Sequence, residues 1–295
     1  MIVHEGYGHA LYAEALSEIG DVVLMPESGG HLLLRPIPGT DLRDAVGCYP
    51  LFVCGDWARL EDDFASIRDL AVSAALVTDP FGNYTPAGLE RLFDVVLPFK
   101  EHVIVDFRSD WQRSMSKHHR YYARRALRTI DVELVEGAAI LDDWMRLYAT
   151  LIGRHGIEDG RRFSRASFVK QMKVPGLLAF AAKLDGVVVA MHLWYVDGDA
   201  AYSHLLAIDP AGYEHAASYA LYFRALDTLA TMTSRATLGG SAGMTNSGSP
   251  LLRFKRGWSA HRQPVYFCGK VLDREAYDRL AAHGARSHFP AYRQC

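Results

Sequence analysis

The stretch from residue 177 to 226 constrains the fold of this chain more than any other. Two apolar runs within it end in Asp-Gly pairs, Asp185-Gly186 and Asp197-Gly198, and this dipeptide suits the positive φ angles of a tight hairpin turn. Strands are therefore expected over residues 177–183, 187–196 and 200–208. Beyond them, apolar residues recur at four-residue spacing, which predicts a helix over residues 213–232 with one apolar stripe. The sequence thus predicts an antiparallel meander that leads directly into a helix.

The link between this meander and the helix reads Asp-Pro-Ala-Gly-Tyr over residues 209–213. A helix N-terminus with free backbone N–H groups, placed directly after a strand, is a typical anion site. We therefore expect the start of the helix to bind the phosphate groups of a cofactor. The residues that we assign to this site are Ala211, Gly212, Tyr213, Glu214, His215, Ala216, Ala217 and Ser218.

This order of elements resembles the core of the GNAT acyltransferases, in which the loop before the central helix wraps the diphosphate of acyl-CoA. The glycine-rich signature of that loop is incomplete here, since it retains one glycine and lacks the leading Arg or Gln. The segment 237–258 is similar to that of the Fem-type branch, which carries two GNAT-like domains and ends with a Gly-Gly strand and a Phe-Lys-x-Gly turn. The matching residues here are Gly239-Gly240 and Phe254-Lys255-Arg256-Gly257.

The predicted fold is α/β with α+β character, made of two GNAT-like modules that each have a mostly antiparallel mixed sheet flanked by helices. Residues 1–130 show the order helix, hairpin, helix, strand, helix, strand, and residues 131–295 roughly repeat it. The repeat is one of pattern only, because the two halves are not visibly similar in sequence. The Fem-type resemblance implies the same two modules, with a boundary near residue 130. We expect the second module to carry the donor site.

Composition indicates a globular protein that can build a large core, with 49% hydrophobic and 22% charged residues in 295. The formal net charge of −2 gives no global basicity, so we expect no DNA partner. Four scattered cysteines predict a reduced, cytoplasmic setting. We expect no signal peptide and no membrane span, since no apolar run reaches about 18 residues. No cysteine or histidine spacing completes a metal site, so we expect no metal.

A GNAT-type reaction requires the activated acyl group to lie beside a neutral amine, with its carbonyl polarised and one proton removed. Backbone N–H groups at two splayed strands usually supply the polarisation, and here we expect them at the end of strand 200–208. His204 and Tyr202 share one face of that strand, and His204 is the candidate general base. The alternative for His204 is a hydrogen-bonded, half-buried histidine. For His192, on the preceding strand, we expect packing or hydrogen bonding within the sheet.

The Phe-Lys pair of the Phe-Lys-x-Gly turn is the second catalytic candidate. In the Fem-type branch the matching pair is associated with the transfer step, which implies that role for Phe254 and Lys255. A lysine in such a turn can present its ammonium to a developing oxyanion or to a phosphate. The alternative is a solvated loop lysine. The neighbouring Arg256 makes the local field positive in either case and is assigned to substrate binding.

Residues 114–128 form the densest positive patch in the chain and contain no Asp or Glu. A helix over this segment places four cations on one stripe, and cations without nearby acids repel one another unless an anion binds. Fem-like proteins have a similar basic helix between their domains. We therefore expect phosphate binding, with a solvated helix face as the alternative. The four residues are Lys117, Arg120, Arg124 and Arg128.

A polar, glycine-punctuated segment follows at residues 153–164. In GNAT topology such a loop covers the acceptor site, so the resemblance implies that its cations contact an acidic or sugar-like acceptor. The alternative is an ordinary mobile loop. The residues assigned to the acceptor are Arg154, His155 and Arg161.

Together these features predict an N-acyltransferase that moves an acyl group from acyl-CoA, its co-substrate, to an amine on a small molecule or peptide. Aminoacyl-tRNA is the alternative donor, as Fem-type peptidoglycan ligases use, and would make tRNA a partner. A third alternative, from a different class, is a non-catalytic binding module that keeps the fold and has lost the site.

Overall fold

The computed structural model describes residues 4–136, 140–156, 162–241, 249–282 and 288–293. The strands in chain order are β1 Asp21–Met25, β2 Gly30–Pro36, β3 Arg43–Gly47, β4 Ser73–Val77, β5 Val95–Asp106, β6 Ile130–Val135, β7 Leu177–Leu184, β8 Val187–Asp197, β9 Ala200–Ile208, β10 Arg235–Thr237 and β11 Arg262–Val271. The helices are α1 Ala10–Ala15, α2 Leu60–Ile67, α3 Pro86–Leu92, α4 Trp111–Ser114, α5 Lys117–Ala126, α6 Leu141–His155, α7 Arg165–Gln171, α8 Pro210–Glu214, α9 Ala217–Leu229, α10 Pro250–Arg256 and α11 Arg274–Ala281.

The chain divides into two compact units, and the division differs from the boundary expected near residue 130. Unit 1 comprises Met1–Lys100 with Pro264–Cys295, and unit 2 comprises Glu101–Gln263. The physical reason is strand pairing. The second half of β5 pairs with β10 in unit 2, and the second half of β11 pairs with β4 in unit 1. Each half of the sequence therefore contributes its last strand to the unit built mainly by the other half.

Unit 1 is built on a meander in which β1, β2 and β3 are antiparallel neighbours. The chain then crosses over through α2, and β4 pairs parallel to β3. The crossover helix buries one face, Leu60, Phe64 and Ile67, against the core of this unit. Meander, crossover helix and parallel strand are the pattern that unit 2 repeats.

Unit 2 contains the sheet order β5-β10-β9-β8-β7-β6. Strands β6 to β9 form the antiparallel meander, and β10 pairs parallel to β9 after the crossover. The hairpin predicted at Asp185-Gly186 is confirmed, because φ is +49° at Asp185 and +82° at Gly186. The predicted bounds of β7, β8 and β9 hold to within one residue. Consequently, the stretch that constrained the prediction also forms the centre of unit 2.

Helices cover both faces of the unit 2 sheet. Helix α9 buries Ala220, Leu221 and Ala225 in one cluster with Trp194 and Ala201 of the sheet. Residues that alternate with these along the strands form a second cluster with α6 and α7 on the opposite face. The fold is thus α/β, with mostly antiparallel mixed sheets flanked by helices, as expected from the sequence.

Two local expectations need correction. The single helix expected over residues 213–232 is divided, because Ala216 has φ of +56° and separates α8 from α9. The Phe-Lys-x-Gly segment is not a turn, because its first three residues complete α10. Ser249 accepts the N–H of Leu252 as the cap of that helix, and Pro250 occupies its first position. Within the residues described, no helix has the length and apolarity needed to cross a bilayer.

Candidate functional site

Strands β9 and β10 pair over only three residues, the last pair being Tyr202 and Thr237. Beyond that point the chain after β10 stays beside β5, where Leu238 N donates to Val103 O at 2.9 Å and Val103 N donates to Gly239 O at 3.2 Å. Strand β9 instead continues beside β8. The two strands therefore part, and we call the gap beyond Tyr202 the strand splay. An open strand edge of this kind can pair with an extended ligand.

A β-bulge lies at the mouth of the strand splay. Leu193 pairs with Leu205 and Trp194 pairs with Ser203, so His204 is an extra residue in β9. The side chains of two neighbouring residues at the bulge lie on opposite faces of the sheet. Ser203 hydrogen-bonds to residues on the face covered by α9, whereas His204 hydrogen-bonds to α7 on the other face.

His204, the expected general base, is held beneath α7. Its Nε2 lies 3.0 Å from Oε1 of Gln171, whose Nε2 donates to Ser167 Oγ at 3.0 Å. With the amide oriented in this way, Nε2 of His204 carries the proton and donates. Burial lowers the pKa of His204 to about 3, which makes it a weak proton acceptor near neutral pH. The contacts thus match the alternative of a hydrogen-bonded histidine better than the catalytic role, which stays a prediction.

A second polar group, which the sequence analysis did not assign to catalysis, lies at the strand splay. Nε2 of His192 is 2.8 Å from Ser203 Oγ, and Tyr222 also hydrogen-bonds to Ser203. His192 is fully buried, and its Nδ1 has no hydrogen-bond partner among the described residues. Burial, and then the charges of Lys255 and His204, hold the pKa of His192 well below its usual value. The imidazole is therefore neutral and connects Ser203, which is partly exposed, to the interior.

The signal for this group was present in the sequence. The alternation along β9 already placed Ser203 on the face opposite Tyr202 and His204. What the sequence did not reveal is which face the crossover helix covers, and hence that Tyr222 meets Ser203.

Lys255 lies on the last turn of α10, and its side chain reaches the end of β10. Its Nζ donates to Gly240 O at 2.8 Å. Gly239, with φ of +75°, lies beneath it, and a Cβ at that position would be 3.1 Å from Nζ. The ammonium is partly buried at the strand splay, so the alternative of a solvated loop lysine does not describe it. Tyr202 is buried in β9 and belongs to the last pair before the strands part.

The Phe-Lys-x-Gly segment is anchored to α5 through His119. Nε2 of His119 lies 2.7 Å from the carbonyl oxygen of Phe254, which accepts the hydrogen bond, and Nδ1 lies 3.0 Å from Ser116 Oγ. A Cβ at Gly257 would overlap the His119 ring. The Phe254 ring packs against Tyr219 and Tyr222 at centroid distances of 5.0 and 5.1 Å. Phe254 and Gly257 therefore position the helix that carries Lys255.

Helix α5 presents a cationic face that lines a surface groove of about 450 Å³. Among the described residues, no carboxylate forms an ion pair with any cation of this face. Arg120 donates to the carbonyl oxygen of Gln112 at 2.7 Å, and Tyr121, 61% exposed, lies among the cations. The opposite side of the helix is buried through His119, Ala123 and Ala126. The cationic face consists of Lys117, Arg120, Arg124, Arg125 and Arg128.

The turn expected to bind a cofactor diphosphate has unfavourable chemistry for an anion. The carboxylate of Asp209 caps α8 and accepts the N–H of Gly212 at 2.8 Å, and Pro210 has no N–H to offer. A Cβ at Gly212 would lie 2.6 Å from the carbonyl oxygen of Val189. The glycine therefore allows α8 to pack closely on β8. Asp209 also forms an ion pair with Arg146 at 3.6 Å.

The remaining residues assigned to that turn lie in α8, at the break, or at the start of α9. His215 Nδ1 is 3.5 Å from Thr129 Oγ1, and Ala217 is buried beneath the first turn of α9. The structure thus distributes the eight residues over α8, the break at Ala216 and the start of α9. The others are Ala211, Tyr213 and Glu214 in α8 and Ser218 in α9.

The residues assigned to the acceptor do not gather at one place. The guanidinium of Arg154 lies over the Tyr213 ring, 3.9 Å from its centroid, and His155 is exposed at the end of α6. Arg256 forms an ion pair with Glu101 at 3.7 Å. Arg161 lies outside the described residues.

Comparison with known proteins agrees with this geometry. Residues 113–239 match the family model described as the acetyltransferase (GNAT) domain, a segment that contains α5, β9 and the whole of α9. No protein of curated function matches the chain in sequence.

Three solved structures share the fold at low sequence identity. FemX has a TM-score of 0.66 and 12% identity, covering 92% of this chain and 93% of its own. The C-terminal domain of a putative lysylphosphatidylglycerol synthetase from Agrobacterium fabrum has a TM-score of 0.62 and 16% identity, covering 88% and 87%. L-PGS from Bacillus licheniformis has a TM-score of 0.59 and 13% identity, covering 93% and 95%.

The architecture is therefore of the GNAT class. More specifically, the chain has a Fem-type tandem-GNAT fold, as the sequence resemblance implied. The domain match supports transferase activity.

Proposed function

We propose that this protein is an N-acyltransferase that joins an activated acyl group to an amine at the strand splay. The observation that carries the proposal is the parting of β9 and β10 after Tyr202, with Ser203 on one side and Lys255 on the other. An open strand edge holds an extended donor, and the two side chains supply polar groups where the acyl carbonyl would lie. The match to a GNAT domain supports the same reaction class.

The reaction requires one bond exchange and one proton transfer. The lone pair of a neutral amine attacks the acyl carbonyl carbon, a C–N bond forms, and the bond from that carbon to the donor's sulfur or oxygen breaks. The amine loses a proton, and the departing sulfur or oxygen gains one. We assign to the Lys255 ammonium the stabilisation of the oxyanion. To Ser203, whose hydroxyl is held by neutral His192, we assign the passage of the proton from the amine to the departing sulfur or oxygen.

The proposed donor is an acyl-CoA or an aminoacyl-tRNA, and the structure suits these two donors to different degrees. An acyl-CoA would bring its diphosphate to the turn that Asp209 and Pro210 occupy, which disfavours a second negative charge there. The unpaired cations on the cationic face of α5 offer a site for the phosphates of either donor. The turn at Asp209, which disfavours the diphosphate of acyl-CoA, is the specific observation that favours aminoacyl-tRNA as the second candidate.

The test is a transfer assay with acetyl-CoA, longer acyl-CoAs and charged tRNA, each offered to a panel of primary amines, with mass spectrometry of the products. We expect Lys255→Met to lower turnover by about 10²–10³-fold, because it removes the charge opposite the oxyanion. Lys173→Met is the matched control, since Lys173 is exposed outside the strand splay in the same unit. Donor-induced thermal stabilisation without transfer to any amine would instead identify a non-catalytic binding module.

A further inference from the structure

The cationic face of α5 is set apart by its lack of counter-charges. Arg120 and Arg124 are four residues apart within α5, and like charges at that spacing destabilise a helix by about 0.2–0.5 kcal/mol per pair. Several other exposed arginines of unit 2 have carboxylate partners, as in the pairs Arg108–Asp106 at 2.8 Å and Arg165–Asp142 at 2.6 Å. A cluster of mutually repelling cations in a protein whose net charge is −2 indicates a site for an external polyanion.

The composition and shape of the face favour an acidic protein surface over a nucleic acid. Tyr121 stands exposed among arginines, and Tyr and Arg are enriched at the energetic centres of protein interfaces. Four of the five cations lie along one helix of ten residues, about 15 Å long, and Arg128 follows two residues after its end. This is the footprint of one acidic helix, whereas RNA binding draws on phosphate contacts spread over a longer backbone.

The turn at Asp209 restricts which thioester donors fit. The pantetheine arm of an acyl-CoA continues into a diphosphate and a nucleotide, which this turn disfavours through its carboxylate and its proline. The same arm on a carrier protein ends in a single phosphate ester to the protein, and no free nucleotide follows. A carrier-bound arm therefore uses the strand splay without needing the diphosphate turn.

The cationic face and the strand splay are linked within unit 2. His119, two residues after Lys117, is hydrogen-bonded to Phe254 of α10 at 2.7 Å. The next residue, Lys255, reaches Gly240 at the end of β10. A partner seated on α5 is thereby coupled through one helix to the place where the acyl group would react.

From these observations we propose that the cationic face docks an acidic acyl-carrier domain, which delivers its acyl group on a phosphopantetheine arm to the strand splay. The inference rests on the proposed acyl transfer and names the donor that the site uses. The acyl group leaves the arm's sulfur for the amine nitrogen, and the arm returns to its thiol form with the proton released by the amine.

The test is a titration of the full chain with a panel of three acidic acyl carrier proteins, each loaded with acetyl-phosphopantetheine. Acetyl-CoA and a charged tRNA are titrated in parallel, and calorimetry is carried out at two salt concentrations. We expect at least one carrier to bind about tenfold more tightly than acetyl-CoA, with an affinity that falls as salt rises. The triple variant Arg120→Gln, Arg124→Gln, Arg128→Gln should weaken that carrier by about tenfold or more and flatten the salt dependence.

A charge-matched control removes three exposed arginines of unit 1 in the variant Arg68→Gln, Arg91→Gln, Arg279→Gln, and carrier affinity should be retained. Equal carrier binding by the α5 variant and the parent protein would overturn the proposal. So would loss of tRNA binding in that variant together with failure of all three carriers to bind.

A separate arm of the experiment distinguishes this inference from the proposed function. Acetyl-pantetheine, which has the arm but no carrier, is offered with the amine panel to the parent protein. Transfer from acetyl-pantetheine with no gain from any carrier would refute docking and leave the acyltransferase assignment standing. Carrier binding that depends on the cationic face, without transfer from any donor, would refute the acyltransferase assignment instead.

Discussion

At the scale of single residues, the bulge in β9 decides which polar side chains meet the strand splay. It turns His204 toward Gln171 and leaves Ser203 hydrogen-bonded to His192 and Tyr222. The sequence supplied the strand and its alternation. It could not reveal the bulge, because one inserted residue changes the face of the sheet on which neighbouring side chains lie without changing the pattern of apolar residues.

Replacement of Ser203 should therefore affect catalysis more than replacement of His204. We expect Ser203→Ala to reduce turnover by about 10²-fold, since it interrupts the path of the proton away from the amine. His204→Gln should cost less than about tenfold, because the glutamine amide can also donate to Gln171. Turnover with a productive amine, measured from pH 6 to 9, compares the two variants. The reverse order of effects would restore His204 as the base.

His119 makes the stability of the fold depend on pH. Burial lowers its pKa to about 4, against about 6.5 in an unfolded chain. The unfolded state therefore binds a proton more readily, and stability falls as pH decreases from about 6.5 toward 4. Urea unfolding at pH 7.5 and pH 5 should show a smaller loss in His119→Asn than in the parent protein. His118→Gln, a change at an exposed neighbour, should keep the parental pH dependence, and an identical loss in all three proteins would contradict this role.

At the scale of elements, short-range patterns predicted what lies within one strand or helix, whereas the junctions depended on tertiary contacts. The bounds of β9 were correct because turns and periodicity act locally. The break at Ala216 was missed because it has no strong local signal. The helical state of Phe254 and Lys255 was missed although Ser249 and Pro250 form a local helix-start signal. Strand β6 and helices α7 and α11 were also overlooked in polar stretches whose burial only the folded units define.

The close contact between the His119 ring and Gly257 provides a test of how α10 is held in place. Gly257→Ala should destabilise the protein by about 1–3 kcal/mol, because the new methyl group overlaps a buried ring. Gly153→Ala is the matched control. That glycine lies inside α6, and a methyl group added there would meet nothing within 4 Å, so alanine should be neutral or stabilise by about 0.5–1 kcal/mol.

Chemical denaturation of both variants gives these values, and a double variant with His119→Ala provides the coupling. Removing the ring should recover part of the loss caused by Gly257→Ala. Additive effects of the two changes would show that the overlap is relieved by other movements and that His119 does not hold α10.

At the scale of the whole molecule, the two-module organisation was predictable, but the membership of the modules was not. The repeated order of elements and the Fem-type motif both indicated two GNAT-like halves. Strand pairing between β5 and β10, and between β11 and β4, assigns the last strand of each half to the other unit. No local pattern specifies such long-range partners, because a strand could pair equally well with any other strand whose apolar and polar residues alternate in the same way.

Cutting the chain at residue 130 should therefore yield two halves that do not fold alone. Residues 131–295 lack β5, one of the two partners of β10, and residues 1–130 lack β11, one of the two partners of β4. We expect each fragment to unfold without a cooperative transition by circular dichroism, and a mixture of the two to regain one. A cooperative transition in either fragment alone would contradict the pairing, and co-expression of both fragments gives the positive control.

The exchange of last strands also affects the order in which the protein can form during its synthesis. Strand β4 ends at Val77, and the strand that completes its second edge extends to Val271. At typical rates of about 5–20 residues per second, the ribosome needs on the order of ten seconds or more to cover that distance. Throughout this interval the nascent first unit exposes an unpaired edge to the crowded surroundings of the ribosome. Chaperones that shield open sheet edges are consequently expected to raise the yield of this protein more than that of a chain with contiguous domains.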